Sequence, residues 1–132
     1  MYKLDRPLYH GTSAAAAIFI LCYGFKAPVH LTEDEQSAIH YAKAATAYVE
    51  HEAKEDNHKL IRDGWAVFTF YSVPNKMHLV PDDYNPQAEP GQWRYENPIR
   101  GLKHFTIQYG ELNVTEEENL YLRCFAIGMW RD

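Results

Sequence analysis

LYHGTSAAAAIFILCYGF, residues 8–25, changes character in the middle. A short apolar piece at Leu8 and Tyr9 gives way at Ser13 to four alanines and an apolar run, and Gly24 follows. Ser13 suits an N-cap because its hydroxyl accepts from the unpaired N–H groups of a first helical turn. Alanine is the strongest helix former, and glycine readily takes the left-handed conformation that ends a helix. The stretch predicts a strand end, a tight turn and a helix. That helix is apolar on nearly every side, which predicts burial all round.

Downstream, Pro28 to Leu31 reads as a short extended piece, and Thr32-Glu-Asp-Glu35 matches a capping box, with a hydroxyl first and a carboxylate three residues later. A long helix is expected next. Ala38, Tyr41, Ala42, Ala45, Tyr48 and Val49 recur at steps of three and four and form its apolar stripe, opposite Glu35, Lys43 and Glu50. The polar tract HEAKEDNHK marks its fraying end or a loop. Trp65 to Tyr71 is aromatic and β-branched, a buried strand closed by Pro74 and Asn75. Pro81 to Pro98 holds four prolines, Gly91 and several Asn and Asp, so it reads as one long loop. Strand-like runs follow at Lys103–Tyr109, Leu112–Val114 and Leu120–Ile127. The order strand, helix, strand, helix, then strands predicts an α+β single domain over residues 1–132, with a mixed or antiparallel sheet of five to six strands and two main helices.

Composition narrows function by exclusion. With 13 Lys+Arg against 18 Asp+Glu the net charge is near −5, which disfavours a broad phosphate-neutralising surface for nucleic acid. At 132 residues the chain buries about two-thirds of its unfolded surface, enough for one core without staples. The two cysteines, Cys22 and Cys124, lie in a helix and a strand with no paired spacing, and they read as free core thiols in a reducing compartment. No apolar leader opens the sequence, and the run from Ala14 to Tyr23 is too short to span a bilayer. The expected location is cytoplasmic, in the producing cell or in a host cell reached without a signal peptide, with no membrane partner.

Chemistry-bearing residues fall into three groups. In Tyr9-His10-Gly11-Thr12-Ser13 a histidine ends a strand and a glycine permits close backbone approach just before a helix, a place to hold a polar ligand. The alternative is a hydrogen-bonded structural histidine and a plain turn. In Val29-His30-Leu31-Thr32 a second histidine precedes the helix carrying Tyr41, a ring that suits either the core or a ligand platform. Among carboxylates, Glu111 follows Gly110 and opens a strand, with Asp82 and Asp83 at the head of the proline-rich loop as rivals. The seven histidines show no metal-ligand spacing, and neither a Gly-x-Ser-x-Gly elbow, a Walker loop nor a Gly-x-Gly-x-x-Gly fingerprint is present.

Taken together, LYHGTS, the helix ending YGF and VHLTEDEQSAIHYA resemble the NAD-binding half of the ADP-ribosyltransferase superfamily. The resemblance covers the first third of the chain firmly and the rest loosely. It implies that His10 hydrogen-bonds a ribose hydroxyl, that the Gly11 backbone holds the nicotinamide carboxamide with Thr12 in support, and that Tyr41 stacks on nicotinamide. His30 departs from the tyrosine of poly-ADP-ribose polymerases, while Val-His-Leu-Thr is similar to the Val-His-Leu-Ser of tRNA 2′-phosphotransferases. Pro90-Gly91-Gln-Trp-Arg-Tyr-Glu-Asn-Pro98 is loosely similar to a stretch of the rifamycin ADP-ribosyltransferases, whose acid corresponds to Asp82 or Asp83. Glu111 looks like the strand-opening glutamate of the polymerase type. Positive charge develops on the ribose as nicotinamide leaves, so a fixed carboxylate there is what the chemistry needs.

The implied activity is an NAD-dependent mono-ADP-ribosyltransferase with His10, His30 and Glu111 catalytic, using NAD as substrate. Its acceptor would be a protein first, and a nucleic acid or small molecule second, which suits a toxin, an effector or a phage-encoded modifier. Tyr84, Trp93, Arg94 and Tyr95 in the long loop would read the acceptor or close over NAD. The competing readings are a catalytically inactive NAD, ADP-ribose or protein-binding module of the same fold, and an RNA-directed relative of the phosphotransferases.

Overall fold

The computed structural model describes residues 1–55, 64–82 and 91–110, and the side chains of all of these except 47–55. Two helices and six strands alternate as β1 (Tyr2–Ser13), α1 (Ala14–Tyr23), β2 (Val29–Thr32), α2 (Glu35–Glu55), β3 (Trp65–Val73), β4 (Leu79–Pro81), β5 (Gln92–Tyr95) and β6 (Phe105–Gly110). The strands form one sheet in the order β4-β5-β2-β1-β3-β6, and every neighbouring pair is antiparallel. The expected α+β class with two helices is what forms. The sheet reaches six strands without the runs at Leu112–Val114 and Leu120–Ile127, which lie outside the described residues, as does Cys124.

Alternation along β1 and β3 gives the sheet two unlike faces. On one face Leu8, Phe68 and Phe70 meet Phe25, Phe105 and the inner side of α1, Ala17 and Leu21. Phe25 is the hub of this core, with its ring centroid 4.8 Å from Phe68, 5.2 Å from Phe70 and 5.7 Å from Phe105. Aromatic pairs in such tilted and edge-on arrangements contribute about 0.5–1.5 kcal/mol each beyond the area they bury. Phe25 is also pinned through its backbone, because its N–H and C=O both bond to Ile99. On the other face Trp65 and Val67 meet Ala38 and Ala42 of α2, with Tyr9 and Ile39 alongside.

Helix α1 is capped at Ser13 as its sequence predicts, while Gly24 ends it at positive φ but with ψ 171°, extended rather than the left-handed helical conformation expected. The Ser13 hydroxyl accepts from the N–H of Ala16 at 3.1 Å, and Gly24, at φ 88°, donates to the Ile20 carbonyl. Its burial is one-sided, though. Ala14, Ala17 and Leu21 are buried, whereas Phe19 and Tyr23 stand exposed with their rings stacked 6.3 Å apart. The expectation of burial all round is corrected, since only one face of the helix meets the sheet. Cys22 is accordingly half-buried and free rather than a core thiol.

Three further expectations change. The opening apolar piece is a 12-residue strand, because β3 supplies partners along most of its length. The cap of α2 is Asp34 and not Thr32: the Asp34 carboxylate accepts from the Gln36 N–H and the Ser37 hydroxyl. Those bonds, Ser37 foremost, hold its pKa below the usual carboxylate value. Thr32 ends β2, its hydroxyl accepting from the Asp34 N–H and the Gln92 side chain. Helix α2 is described to Glu55, within the tract read as its fraying end or a loop, the remainder of which lies outside the described residues. Finally, the stretch read as one loop from Pro81 to Pro98 contains a strand. Gln92–Tyr95 lies between β2 and β4, and Pro81 ends β4.

Candidate active site

Strand β1 is joined to its two neighbours very unequally. Toward β3 it is paired residue by residue from Leu8↔Phe70 to Ser13↔Trp65. Toward β2 the one pair among the described residues is Tyr9↔Thr32. Successive residues of a strand direct their N–H and C=O groups to opposite edges, so beyond Tyr9 part of the β1 main chain faces an opening in the sheet. His10, Gly11 and Thr12 lie along it, all half-buried.

His10 spans this opening with its side chain. Its Nδ1 lies 2.7 Å from the carbonyl oxygen of His30. A carbonyl only accepts, so Nδ1 carries the proton and donates. The ring stands edge-on to Phe25 at 5.2 Å and 6.4 Å from Phe68. Burial in these aromatic surroundings pushes its pKa below the ordinary histidine value. The bond to the His30 carbonyl pulls it upward, and the nearby His30 ring adds a further lowering. A neutral ring protonated on Nδ1 presents Nε2 as a hydrogen-bond acceptor, the partner that a hydroxyl donor requires.

His30 sits between Val29 and Leu31, both buried in the α1-side core, so its ring lies on the opposite face of the sheet. There it is 63% exposed, and its Nδ1 is 3.0 Å from Oδ2 of Asp82, itself only 15% exposed. Arg94 is the cross-strand partner of His30. Its guanidinium is 3.7 Å from the other Asp82 oxygen, and it donates to the Pro81 carbonyl and to Glu96. The Asp82 N–H donates to the Gln92 carbonyl. A histidine, a carboxylate and a buried arginine thus form one row across β2, β5 and the end of β4.

This row was only half legible in the sequence. Asp82 and His30 were both candidates, but 52 positions separate them, and Arg94 read as part of a loop. The detectable signal was the alternation in Gln92-Trp-Arg-Tyr95, where Trp93 and Tyr95 turn from the face that Arg94 occupies.

The remaining candidates are placed unevenly. A Cβ on Gly11 would lie 1.9 Å from the Ala38 carbonyl oxygen, so the glycine is needed to let α2 press on β1, and its Cα side gives no room to a ligand. Only its main chain remains for that role. Thr12 follows opposite Ala66. Tyr41 is 61% exposed, which removes it from the apolar stripe and leaves its ring open to a flat partner, with His40 6.2 Å away. Glu111, Asp83 and Tyr84 lie outside the described residues. Gly110, the last described position of β6, is opposite Trp65, three residues beyond Ile107, the partner of Phe68 and so level with His10. Among the described residues no three His, Cys, Asp or Glu side chains gather as a metal site, and no helix is long and apolar enough to cross a membrane.

His10 Nε2, the β1 main chain beyond its Tyr9↔Thr32 pair with β2 and the exposed Tyr41 ring are groups that can hold a hydroxyl, an amide and an aromatic ring. No family model, no curated protein and no solved structure matches the chain.

Proposed function

We propose that the chain is an NAD-dependent mono-ADP-ribosyltransferase of the ADP-ribosyltransferase superfamily, breaking the nicotinamide–ribose bond and passing ADP-ribose to a macromolecule, a protein first. The observation that carries the reading is His10. Its pKa is held below the ordinary histidine value by burial, its tautomer is fixed by the His30 carbonyl, and its Nε2 is left as an acceptor where β1 and β2 part beyond Tyr9↔Thr32. A ribose hydroxyl is a donor that such a nitrogen takes.

The described residues fit NAD in two further respects. The edge of β1 from His10 to Thr12 offers main-chain groups to the carboxamide. Tyr41 offers an exposed ring to nicotinamide, a contact of the kind that contributes about 0.5–1.5 kcal/mol beyond area. Asp82 is already engaged by His30 and Arg94, and Glu111, which lies outside the described residues, is assigned to the ribose on the resemblance of its sequence context alone. An acidic chain suits a protein acceptor better than a nucleic acid, and the proposed location is the cytoplasm of the producing or a host cell.

A second reading, an inactive NAD or ADP-ribose binding module of the same fold, draws on two observations. Gly11 is covered by α2, and His30 stands where the polymerase type has tyrosine.

Incubation of the purified protein with isotope-labelled NAD and a cell lysate, followed by mass spectrometry, separates the readings. Label on lysate proteins that disappears with His10→Ala supports the transferase. Intact NAD with saturable binding supports the module. Loss of transfer in Glu111→Gln with NAD binding retained assigns the acid, and transfer unchanged in that variant moves the assignment to Asp82 or Asp83.

A further inference from the structure

The row His30–Asp82–Arg94 has a property that NAD binding does not require. Asp82 fixes the orientation of the His30 ring through Nδ1 at 3.0 Å. It is itself held by the Gln92 carbonyl, which accepts from its N–H, and by the guanidinium of Arg94. Arg94 is in turn anchored by the Pro81 carbonyl and Glu96. The far nitrogen of His30, Nε2, belongs to a ring that is 63% exposed. An imidazole held by a carboxylate on one nitrogen and open to solution on the other is the arrangement of a general base. Among the described residues, Glu96 joins this row through Arg94, and the His10 ring bonds the His30 carbonyl.

We infer that His30 is the base that deprotonates the acceptor, that Asp82 is its positioning residue, and that the acceptor atom is a protein hydroxyl. This rests on the transferase reading. A hydroxyl must lose a proton to become a glycosidic oxygen, whereas a carboxylate acceptor arrives without one and has no use for a base. In the step, the ribose C1′–nitrogen bond breaks and its electron pair leaves with neutral nicotinamide. The hydroxyl oxygen forms the new C1′–O bond, and its proton passes to His30 Nε2. Asp82 stabilises the imidazolium that results, and solvent later removes the proton from the exposed ring.

The test uses the full chain with labelled NAD and lysate, comparing the wild type with His30→Gln and Asp82→Asn. Labelled proteins are treated with neutral hydroxylamine, which cleaves carboxylate esters and spares bonds to hydroxyl oxygen. In parallel, nicotinamide release is followed with and without sodium azide, an anionic nucleophile that needs no base. The inference expects label that resists hydroxylamine. It expects transfer reduced about 100-fold or more in His30→Gln, the lower range for loss of a general base, with Asp82→Asn following in direction. It also expects azide to restore nicotinamide release in both variants, which a merely misfolded protein cannot show. Label stripped by hydroxylamine, wild-type transfer by His30→Gln, or variants that azide does not restore would each overturn it while the transferase reading stands. A wild type that releases no nicotinamide under any condition overturns the transferase reading and the inference together.

Discussion

At His10 two influences oppose each other, and burial wins over the hydrogen bond to the His30 carbonyl, so the folded-state pKa lies below the ordinary value. The sign of the pH effect follows. In the unfolded chain this histidine takes a proton near pH 6.5, whereas the folded protein resists it. Below about 6.5 the unfolded state binds more protons, and stability falls as pH drops toward the folded-state pKa. Thermal melts at pH 7.5 and 5 should therefore show a larger loss for the wild type than for His10→Gln, which keeps a donor for the His30 carbonyl and removes the titration. Parallel losses would mean that the ring is not held neutral by the fold. The histidine was legible as a candidate from its place before Gly11 and Ser13. Its tautomer was not, because that depends on a carbonyl 20 residues away.

Among the elements, the contact between β1 and α2 depends on Gly11. A methyl group there meets the Ala38 carbonyl far inside van der Waals distance, so Gly11→Ala must push the helix off the strand. Overpacking of this kind costs about 1–3 kcal/mol, a loss that urea unfolding should register. Helix α1 gives the contrasting case. Leu21→Ala removes a buried side chain and should cost about 2–5 kcal/mol, while Phe19→Ser on the exposed side should change stability by no more than about 0.5 kcal/mol. The cap at Ser13 and the stop at Gly24 were local signals and could be read from the sequence. Which side of an all-apolar helix faces the sheet is a tertiary matter, and nothing in AAAAIFILCY marks it. Strand β5 was hidden for the same reason. Trp93 and Tyr95 favour a strand and alternate, but a run of four residues between prolines is too short to stand out, and it is completed as a strand by β2 and β4 on either side.

For the whole molecule, the α+β class and the element order were legible because α1 and α2 carry a cap or a helical period and β3 an aromatic and β-branched run, whereas β1 showed only its apolar piece at Leu8 and Tyr9. What the sequence could not convey is how the sheet distributes the candidates. His10 and His30 lie on opposite faces and meet only through the His30 main chain, beside the opening that begins where β1 and β2 part after Tyr9↔Thr32. The measurement that tests this account most directly is nicotinamide release from NAD by the purified protein, comparing the wild type with a His10→Ala variant shown by circular dichroism to be folded. The account predicts steady release by the wild type and its loss in the variant. Equal release by both would contradict the role given to His10 Nε2, and no release by the wild type would contradict the transferase itself.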